Sequence, residues 1–254
     1  MTPDAPLSDD PLHAEGADTG GFIPDDIRHP PWLRIGAGAV AASVLILGLV
    51  GTLIDRGWQF GFDSHILLAM RGGSMHGTPI GPFWLKQAMI DVTALGGETA
   101  LVILVTIIVG FLAVQRQWLT FWLVLGGTIS GSIAVAIAKA LIGRARPALT
   151  DHLVQVSSAS FPSGHAANSA IIYLTIALLI VQIVEERRAR RYILIVAGLL
   201  VIAIGVSRVY LGVHWPSDVL AGWSFGTLWA LAWWALGAWA RLRRAGVSIL
   251  HPDA

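Results

Sequence analysis

Residues 117–138 read QWLTFWLVLGGTISGSIAVAIA and contain no charged side chain. A helix needs about 20 predominantly apolar residues to cross the hydrocarbon core of a membrane. Five other runs that lack Asp, Glu, Lys and Arg have a similar composition, and the six runs are 16 to 22 residues long. The sequence therefore predicts six transmembrane helices, at 35–54, 99–115, 117–138, 166–184, 192–207 and 219–240.

The composition of the 254-residue chain supports this prediction. Hydrophobic residues make up 55% and charged residues 13%, whereas soluble domains carry about 25% charged residues. A soluble fold would lack polar side chains for its surface, and a disordered chain needs more charge. We therefore expect an all-α, polytopic membrane protein. The absence of cysteine excludes thiol chemistry, and a net charge of +1 gives no reason to expect nucleic acid as a partner.

The distribution of Lys and Arg predicts the orientation in the membrane. Ten of these residues fall on the side of the termini and seven on the other side. Because cytoplasmic segments are enriched in basic residues, both termini are predicted to be cytoplasmic. We expect three regions: a disordered acidic cytoplasmic tail over 1–30, a six-helix transmembrane domain over 31–244, and a short cytoplasmic tail over 245–254.

Segments near the predicted spans carry further signals. An interfacial helix is plausible within 57–71, where the apolar run is too short to cross the membrane. Gly127 and Gly131 have the spacing that lets two helices approach closely in lipid.

The acidic and aromatic residues near the spans are assigned by their positions. Asp91 and Glu98 flank a turn, and we expect them to cap helices, with a role at the substrate entrance as the alternative. A group of tryptophans fits an aromatic belt at the cytoplasmic interface: Trp229, Trp233, Trp234 and Trp239.

Three polar stretches are left unexplained by a membrane fold. They are KALIGRARP over 139–147, FPSGH over 161–165 and SRVYLGVHWPSD over 207–218. With six spans and a cytoplasmic N-terminus, all three fall at the outer face. The helix count alone therefore predicts that their side chains meet there.

The basic residues of these stretches predict an anion site. Lys139, Arg146 and Arg208 together suit a phosphate group, since arginine supplies a planar fork and lysine a point charge. Ser163 and Gly164 precede a helix, whose free N–H groups also bind anions. The duller alternatives are a lysine or arginine at the membrane interface and a serine that only caps a helix. Arg144, nearby, is expected to contact the phosphate or lipid headgroups.

The histidines and one carboxylate of the same stretches predict catalysis. Asp218 lies four residues after His214, so it can accept a bond from one ring nitrogen and leave the other as a nucleophile. His165 then remains to protonate the leaving oxygen. An ordinary loop histidine is the alternative for His214. No cluster of carboxylates suits magnesium, so we expect neither a metal nor a cofactor.

These motifs resemble those of the type 2 phosphatidic acid phosphatase superfamily, the lipid phosphate phosphatases. Its signature is matched in order by three sets of residues: Lys139, Arg146 and Pro147; Pro162, Ser163, Gly164 and His165; Ser207, Arg208, His214 and Asp218. The resemblance implies attack by His214 to form a phosphohistidine, with Asp218 orienting its ring. It also implies proton donation by His165, phosphate binding by the other residues, and no metal.

The expected function is therefore removal of a terminal phosphate from a lipid at the outer face of the bacterial inner (plasma) membrane. The resemblance favours undecaprenyl diphosphate, followed by phosphatidylglycerophosphate and phosphatidic acid. A lipid phosphotransferase of the same fold is one alternative. A protein that binds lipid phosphates without catalysis is the least favoured alternative, since a nucleophile, an orienting carboxylate and an acid exceed what binding requires.

Overall fold

The computed structural model describes residues 31–72 and 77–244. The described residues from Gly36 onward belong to one compact unit, which contains the candidate site. The two predicted tails, 1–30 and 245–254, lie outside the described residues.

Helices dominate the described part of the chain, as predicted. One small antiparallel hairpin interrupts them and pairs Arg71 with Pro79 and Gly72 with Thr78. The helix Gly164–Ile180 contains one π-helical turn at Ala170–Leu174. The elements in chain order are α1 (Pro31–Asp55), α2 (Gly61–Ala69), β1 (Arg71–Gly72), β2 (Thr78–Pro79), α3 (Phe83–Ala94), α4 (Glu98–Val114), α5 (Trp118–Ile142), α6 (Gly164–Ile180), α7 (Arg187–Tyr210) and α8 (Pro216–Arg244).

Every predicted span coincides with a helix, but the number of spans is supported only in part. Four helices are long and apolar enough to cross a membrane: α1, α5, α7 and α8. Helices α3 and α4 meet this test as a pair bent by 49°, which gives up to five spans. Helix α6 is a shorter apolar helix. Six spans therefore stay a prediction.

The long connection between α1 and α4 is more structured than predicted. Helix α2 lies within the segment 57–71, where a helix was expected. Helix α3 and the hairpin were not predicted. Lys86 and Asp91 interrupt the apolar pattern of α3, so this helix escapes a search for uncharged runs.

Glycines on α8 let it pack closely against α6. A Cβ atom at Gly222 would lie 2.9 Å from the carbonyl oxygen of Ser163, and one at Gly226 would lie 2.7 Å from that of Ala167. The two helix backbones are therefore in direct contact. This contact brings the beginning of α8 beside the beginning of α6.

The predicted glycine pair on α5 also marks a close contact, which it makes with two tryptophans of α8. A Cβ at Gly131 would meet the ring of Trp229 at 2.8 Å, and one at Gly127 would meet that of Trp233 at 3.1 Å. Trp229 also donates a hydrogen bond to the carbonyl of Gly127 at 2.8 Å. Both rings are partly buried and pack against the helix core. Trp239 is exposed, with Arg243 over its ring.

The outer surface of the bundle is apolar. Leu45 on α1, Val114 on α4, Leu141 on α5 and Ile195 on α7 are each at least 60% exposed. Apolar side chains of this size on several helices form a surface that suits contact with lipid chains. The buried apolar core lies between α4, α5, α6 and α8.

Candidate active site

The three polar stretches meet at one end of the bundle. Lys139 lies in the last turn of α5 and Arg208 in the last turn of α7. Ser163, Gly164 and His165 form the start of α6, and Asp218 lies in the first turn of α8. His214 and Arg146 occupy the loops that precede α8 and α6. The structure thus brings together all eight residues predicted for the site; their roles stay predictions.

His214 is buried between a carboxylate and an arginine. Its side chain is 2% exposed, and its Nδ1 atom lies 3.5 Å from Oδ2 of Asp218. Its Nε2 atom lies 3.2 Å from Nη1 of Arg146. Burial lowers the pKa of His214 to about 4, so the ring is neutral at neutral pH. The tautomer that has its proton on Nδ1, facing Asp218, leaves the lone pair on Nε2.

Asp218 is fully buried, and hydrogen bonds fix both of its oxygens. Oδ2 accepts from the Ser160 hydroxyl at 2.5 Å and from the Trp215 N–H at 3.0 Å. Oδ1 accepts from Nη1 of Arg144 at 2.6 Å. Because so many donors hold it, the carboxylate presents a fixed acceptor to the His214 ring.

Three cations, here called the cation cluster (Lys139, Arg146 and Arg208), lie near the His214–Asp218 pair. Lys139 donates to the carbonyl of Ala159 at 2.7 Å, and Arg146 donates to the carbonyls of Ser158 and Val213. Arg208 is 3% exposed and donates to the Thr93 hydroxyl at 2.9 Å.

The cation cluster lacks carboxylate partners. Among the described residues, none of its members forms an ion pair with a carboxylate within 4 Å. The Nε atom of Arg208 is buried and has no hydrogen-bond partner in the described part of the chain. Hydrogen bonds to neutral groups fix these three cations, and no carboxylate of the described residues neutralises their charge. They therefore form a site for a multiply charged anion.

The start of α6 adds neutral anion-binding groups. Ser163 is buried, its hydroxyl makes no capping bond to the helix, and that oxygen has no partner within the described residues. The alternative that Ser163 only caps the helix is therefore wrong. A Cβ on Gly164 would lie 3.3 Å from Cε of Lys139, so this glycine leaves room for the lysine. The first N–H groups of a helix have no partners within the helix and suit an anion.

His165 faces the same space. Arg208, Lys139 and Arg146 and the His214 ring all act electrostatically on His165. The ring forms no hydrogen bond within residues 31–72 and 77–244, so both nitrogens are open to a ligand. Gly96 closes one side, since a Cβ there would lie 2.4 Å from Ile204 and 3.5 Å from the His165 ring.

Arg144 does not occupy the predicted position at the phosphate or lipid headgroups. Its guanidinium instead joins two buried carboxylates, Asp63 and Asp218. Asp63 comes from α2, far from the motifs in sequence, and no sequence signal pointed to it. Ser160 and Thr93 were also missed as partners of the site, because a lone hydroxyl carries no spacing signal.

The acidic residues near α4 have simpler roles. Asp91 is exposed and accepts a hydrogen bond from Gln87 on its own helix. Glu98 begins α4, where a negative charge stabilises the helix start. The position of Glu98 fits the helix-end interpretation, whereas Asp91 lies in the last turn of α3 and caps no helix start. In the described ranges, no group of three or more His, Asp or Glu side chains has a metal-binding arrangement.

Comparison with known proteins decides the family. The sequence model of the PAP2 superfamily matches residues 119–242. Phosphatidylglycerophosphatase B of Bacillus subtilis is 38% identical over 149 residues, which cover 57% of this chain and 71% of that protein. The chain belongs to the PAP2 superfamily. The resemblance to type 2 phosphatidic acid phosphatases seen in the motifs is thereby confirmed.

Further matches to this PAP2 chain agree in fold and family. A crystal structure of a transmembrane PAP2 type phosphatidylglycerolphosphate phosphatase from Bacillus subtilis has a TM-score of 0.64 and 29% identity, covering 78% of this chain and 94% of that chain. An undecaprenyl-diphosphatase of Sulfolobus acidocaldarius is 35% identical over 68 residues, covering 27% of this chain and 29% of that protein. The apolar helices and these relatives establish a multi-pass membrane protein.

Proposed function

We propose that this protein is a lipid phosphatase that removes a terminal phosphate through a phosphohistidine on His214. The observation that carries the proposal is the position of His214: buried, neutral, backed by Asp218 and flanked by the cation cluster. Family membership supports the same reaction, since the relatives named above are phosphatases.

The first step is phosphoryl transfer to His214. Its Nε2 lone pair forms a bond to phosphorus while the bond from phosphorus to the lipid oxygen breaks. His165, which enters this step protonated beside the bound phosphate anion, gives its proton to that leaving oxygen. Asp218 stabilises the positive charge that develops on the His214 ring. The cation cluster, with Ser163 and the Gly164 N–H, binds the phosphate oxygens and stabilises the charge on them in the transition state.

The second step restores the enzyme. His165, now neutral, takes a proton from water, whose oxygen attacks phosphorus as the bond to Nε2 breaks. Inorganic phosphate leaves, and both histidines return to their starting states. Positive side chains supply the charge stabilisation in both steps, so the proposal includes neither a metal nor a cofactor.

The placement in the membrane is part of the proposal. With α6 as a sixth span, both termini are cytoplasmic and the site opens at the outer face of the inner (plasma) membrane. The exposed apolar side chains of the helices support burial of the bundle in lipid. In this arrangement, the transmembrane phosphatase domain covers 31–244, between the cytoplasmic tails 1–30 and 245–254.

The substrate is proposed to be a lipid phosphate monoester or diphosphate. Of the relatives named above, phosphatidylglycerophosphatase B overlaps more of this chain than the undecaprenyl-diphosphatase does. We therefore place phosphatidylglycerophosphate ahead of undecaprenyl diphosphate, which the resemblance of the motifs favoured, and keep phosphatidic acid as the third candidate.

Phosphate release by the purified protein in detergent tests the reaction. The substrates are phosphatidylglycerophosphate, undecaprenyl diphosphate and phosphatidic acid, each with EDTA present. We expect release from at least one of them, complete loss in His214→Ala, and normal release in His65→Ala, a matched control at an exposed histidine of α2.

Four other results would contradict the proposal. Unchanged release in His214→Ala would exclude the phosphohistidine route. Loss of release in EDTA would contradict a metal-free site. Labelled phosphate that appears on a second lipid instead of in solution would identify a phosphotransferase, and binding without release would identify a lipid-phosphate binder.

A further inference from the structure

Arg144 bridges two carboxylates that lie on different helices. Its Nη2 atom lies 3.0 Å from Oδ2 of Asp63 on α2, and its Nη1 atom lies 2.6 Å from Oδ1 of Asp218 on α8. Arg144 is 12% exposed, and the two carboxylates are 3% and 0% exposed. Arg144 thus forms a buried ion pair with each of two carboxylates, and one of them, Asp218, is the residue next to the His214 ring.

Asp63 and Ser217 hold the other side of the bridge. The Ser217 N–H donates to Oδ1 of Asp63 at 2.8 Å, and its hydroxyl donates to Oδ2 at 2.6 Å. Arg144 Nη1 also donates to the Ser217 hydroxyl at 2.7 Å. Helix α2 is thus tied to the first turn of α8 through side chains, next to Asp218.

The bridge leaves Arg144 unsuited to phosphate binding. Both of its terminal nitrogens are committed to carboxylates, whereas the cation cluster donates only to neutral groups. Arg144 occupies Oδ1 of Asp218, so the carboxylate can offer only Oδ2 to the Nδ1 atom of His214. Removing the guanidinium would leave two buried carboxylates without their shared cation, an arrangement that is costly in a protein interior.

We propose that Arg144 is a positioning residue that fixes Asp218, and through it the His214 ring, and that Asp63 holds Arg144 in place. The inference rests on the proposed function, because it assigns this role within the phosphohistidine reaction. It adds α2 to the set of elements that organise the site, although α2 contributes no group that touches the phosphate.

A kinetic test compares Arg144→Gln, Arg144→Lys and Asp63→Asn with a matched control, Arg56→Gln. Arg56 is exposed and forms no ion pair with a carboxylate among the described residues. We expect kcat for phosphate release to fall roughly 10- to 100-fold in Arg144→Gln, the usual effect of removing a group that orients a catalytic ligand. KM should change little, since Arg144 does not bind substrate. Arg144→Lys should recover part of the loss, and Asp63→Asn should lower kcat as well.

The pH profile separates positioning from general damage. The charged and titratable groups that act on His214 are Asp218 of α8, Arg146 of the loop before α6, Arg208 of α7 and His165 of α6. Lys139 of α5 acts on Asp218, and Arg144 and Asp63 lie on the far side of that carboxylate. Loss of the Arg144 charge favours protonation of His214, so the acid limb of kcat/KM should move to higher pH in Arg144→Gln. It should stay in place in Arg144→Lys and Arg56→Gln, and Asp63→Asn should not raise it.

An NMR titration of the labelled His214 ring measures the same charge effect without catalysis. Its midpoint should rise in Arg144→Gln and stay in Arg144→Lys, even if the wild-type protein releases no phosphate and the proposed function fails. A wild-type kcat in Arg144→Gln, or a lower kcat with an unmoved acid limb and midpoint, would overturn the positioning role. If Arg144→Gln does not fold, Asp63→Asn and Arg144→Lys provide the test. A raised KM at wild-type kcat in both variants would also overturn the positioning role.

Discussion

Gly226→Ala tests whether contact between α8 and α6 sets the geometry of the site. The new Cβ would lie 2.4 Å from Cβ of Ala170, 2.7 Å from the carbonyl oxygen of Ala167 and 2.9 Å from the N atom of Ile171. Ordinary contacts begin at 3.4 Å. The shortfall to Ala170, 3.4 minus 2.4, is about 1 Å, and the neighbouring atoms belong to the rigid backbone of α6 or are fixed to it. The two helices must therefore separate.

The separation should affect activity more than stability. Overpacking typically destabilises a protein by about 1–3 kcal/mol, and the higher helix propensity of alanine offsets roughly 1 kcal/mol of this. The motion displaces Asp218 and His214 on the α8 side from Ser163 and His165 on the α6 side. A misplacement near 1 Å can lower a catalytic rate roughly 100-fold, so we expect kcat to fall at least tenfold.

The assay measures kcat for phosphate release and the melting temperature in the same detergent. Gly110→Ala on α4 is the matched control, because a Cβ there meets nothing within 4 Å; it should keep wild-type activity and equal or higher stability. If Gly226→Ala kept wild-type kcat, close packing of α8 on α6 would not position the catalytic groups, and the structural reasoning would be refuted.

Two further predictions concern the His214–Asp218 pair. Because burial lowers the pKa of His214 to about 4, the ring stays neutral as the pH falls from 7 to 5. The plot of kcat/KM against pH should therefore fall on account of His214 only near pH 4. A fall in kcat/KM set by His214 at its ordinary pKa near 6.5 would contradict this effect of burial. Ser160→Ala removes the 2.5 Å hydrogen bond to Oδ2 of Asp218. It should lower kcat about tenfold, which corresponds to the loss of one hydrogen bond to a charged group. An unchanged kcat would show that the Ser160 hydroxyl does not orient Asp218.

The helices near the site followed from the sequence because the physical signals there are local. Uncharged runs located each long helix, and the ordered spacing of Lys139, Arg146, Ser163, Arg208 and Asp218 placed the site at helix ends. Gly127 and Gly131 also marked a real close contact. Hydrophobicity and motif spacing along the chain were sufficient for these features.

The features that escaped prediction depend on contacts between distant residues. Asp63 meets Arg144 from 81 positions away, and Thr93 meets Arg208 from 115 positions away. No local pattern distinguishes Asp63 from any other acid at the start of a helix. The packing of the Trp229 ring against Gly131 and its hydrogen bond to Gly127, both on α5, were likewise not predicted. Such pairings become visible only when the helices are assembled.

The central claim is that His214 carries the phosphoryl group. The direct measurement is a rapid alkaline quench of the enzyme with a lipid substrate labelled in its terminal phosphate, followed by mass spectrometry of the peptides. Phosphohistidine survives base and is lost in acid, so we predict an acid-labile label on His214 that is absent in His214→Ala. Steady phosphate release with no labelled residue at any quench time, or a label on His165 instead, would contradict the claim.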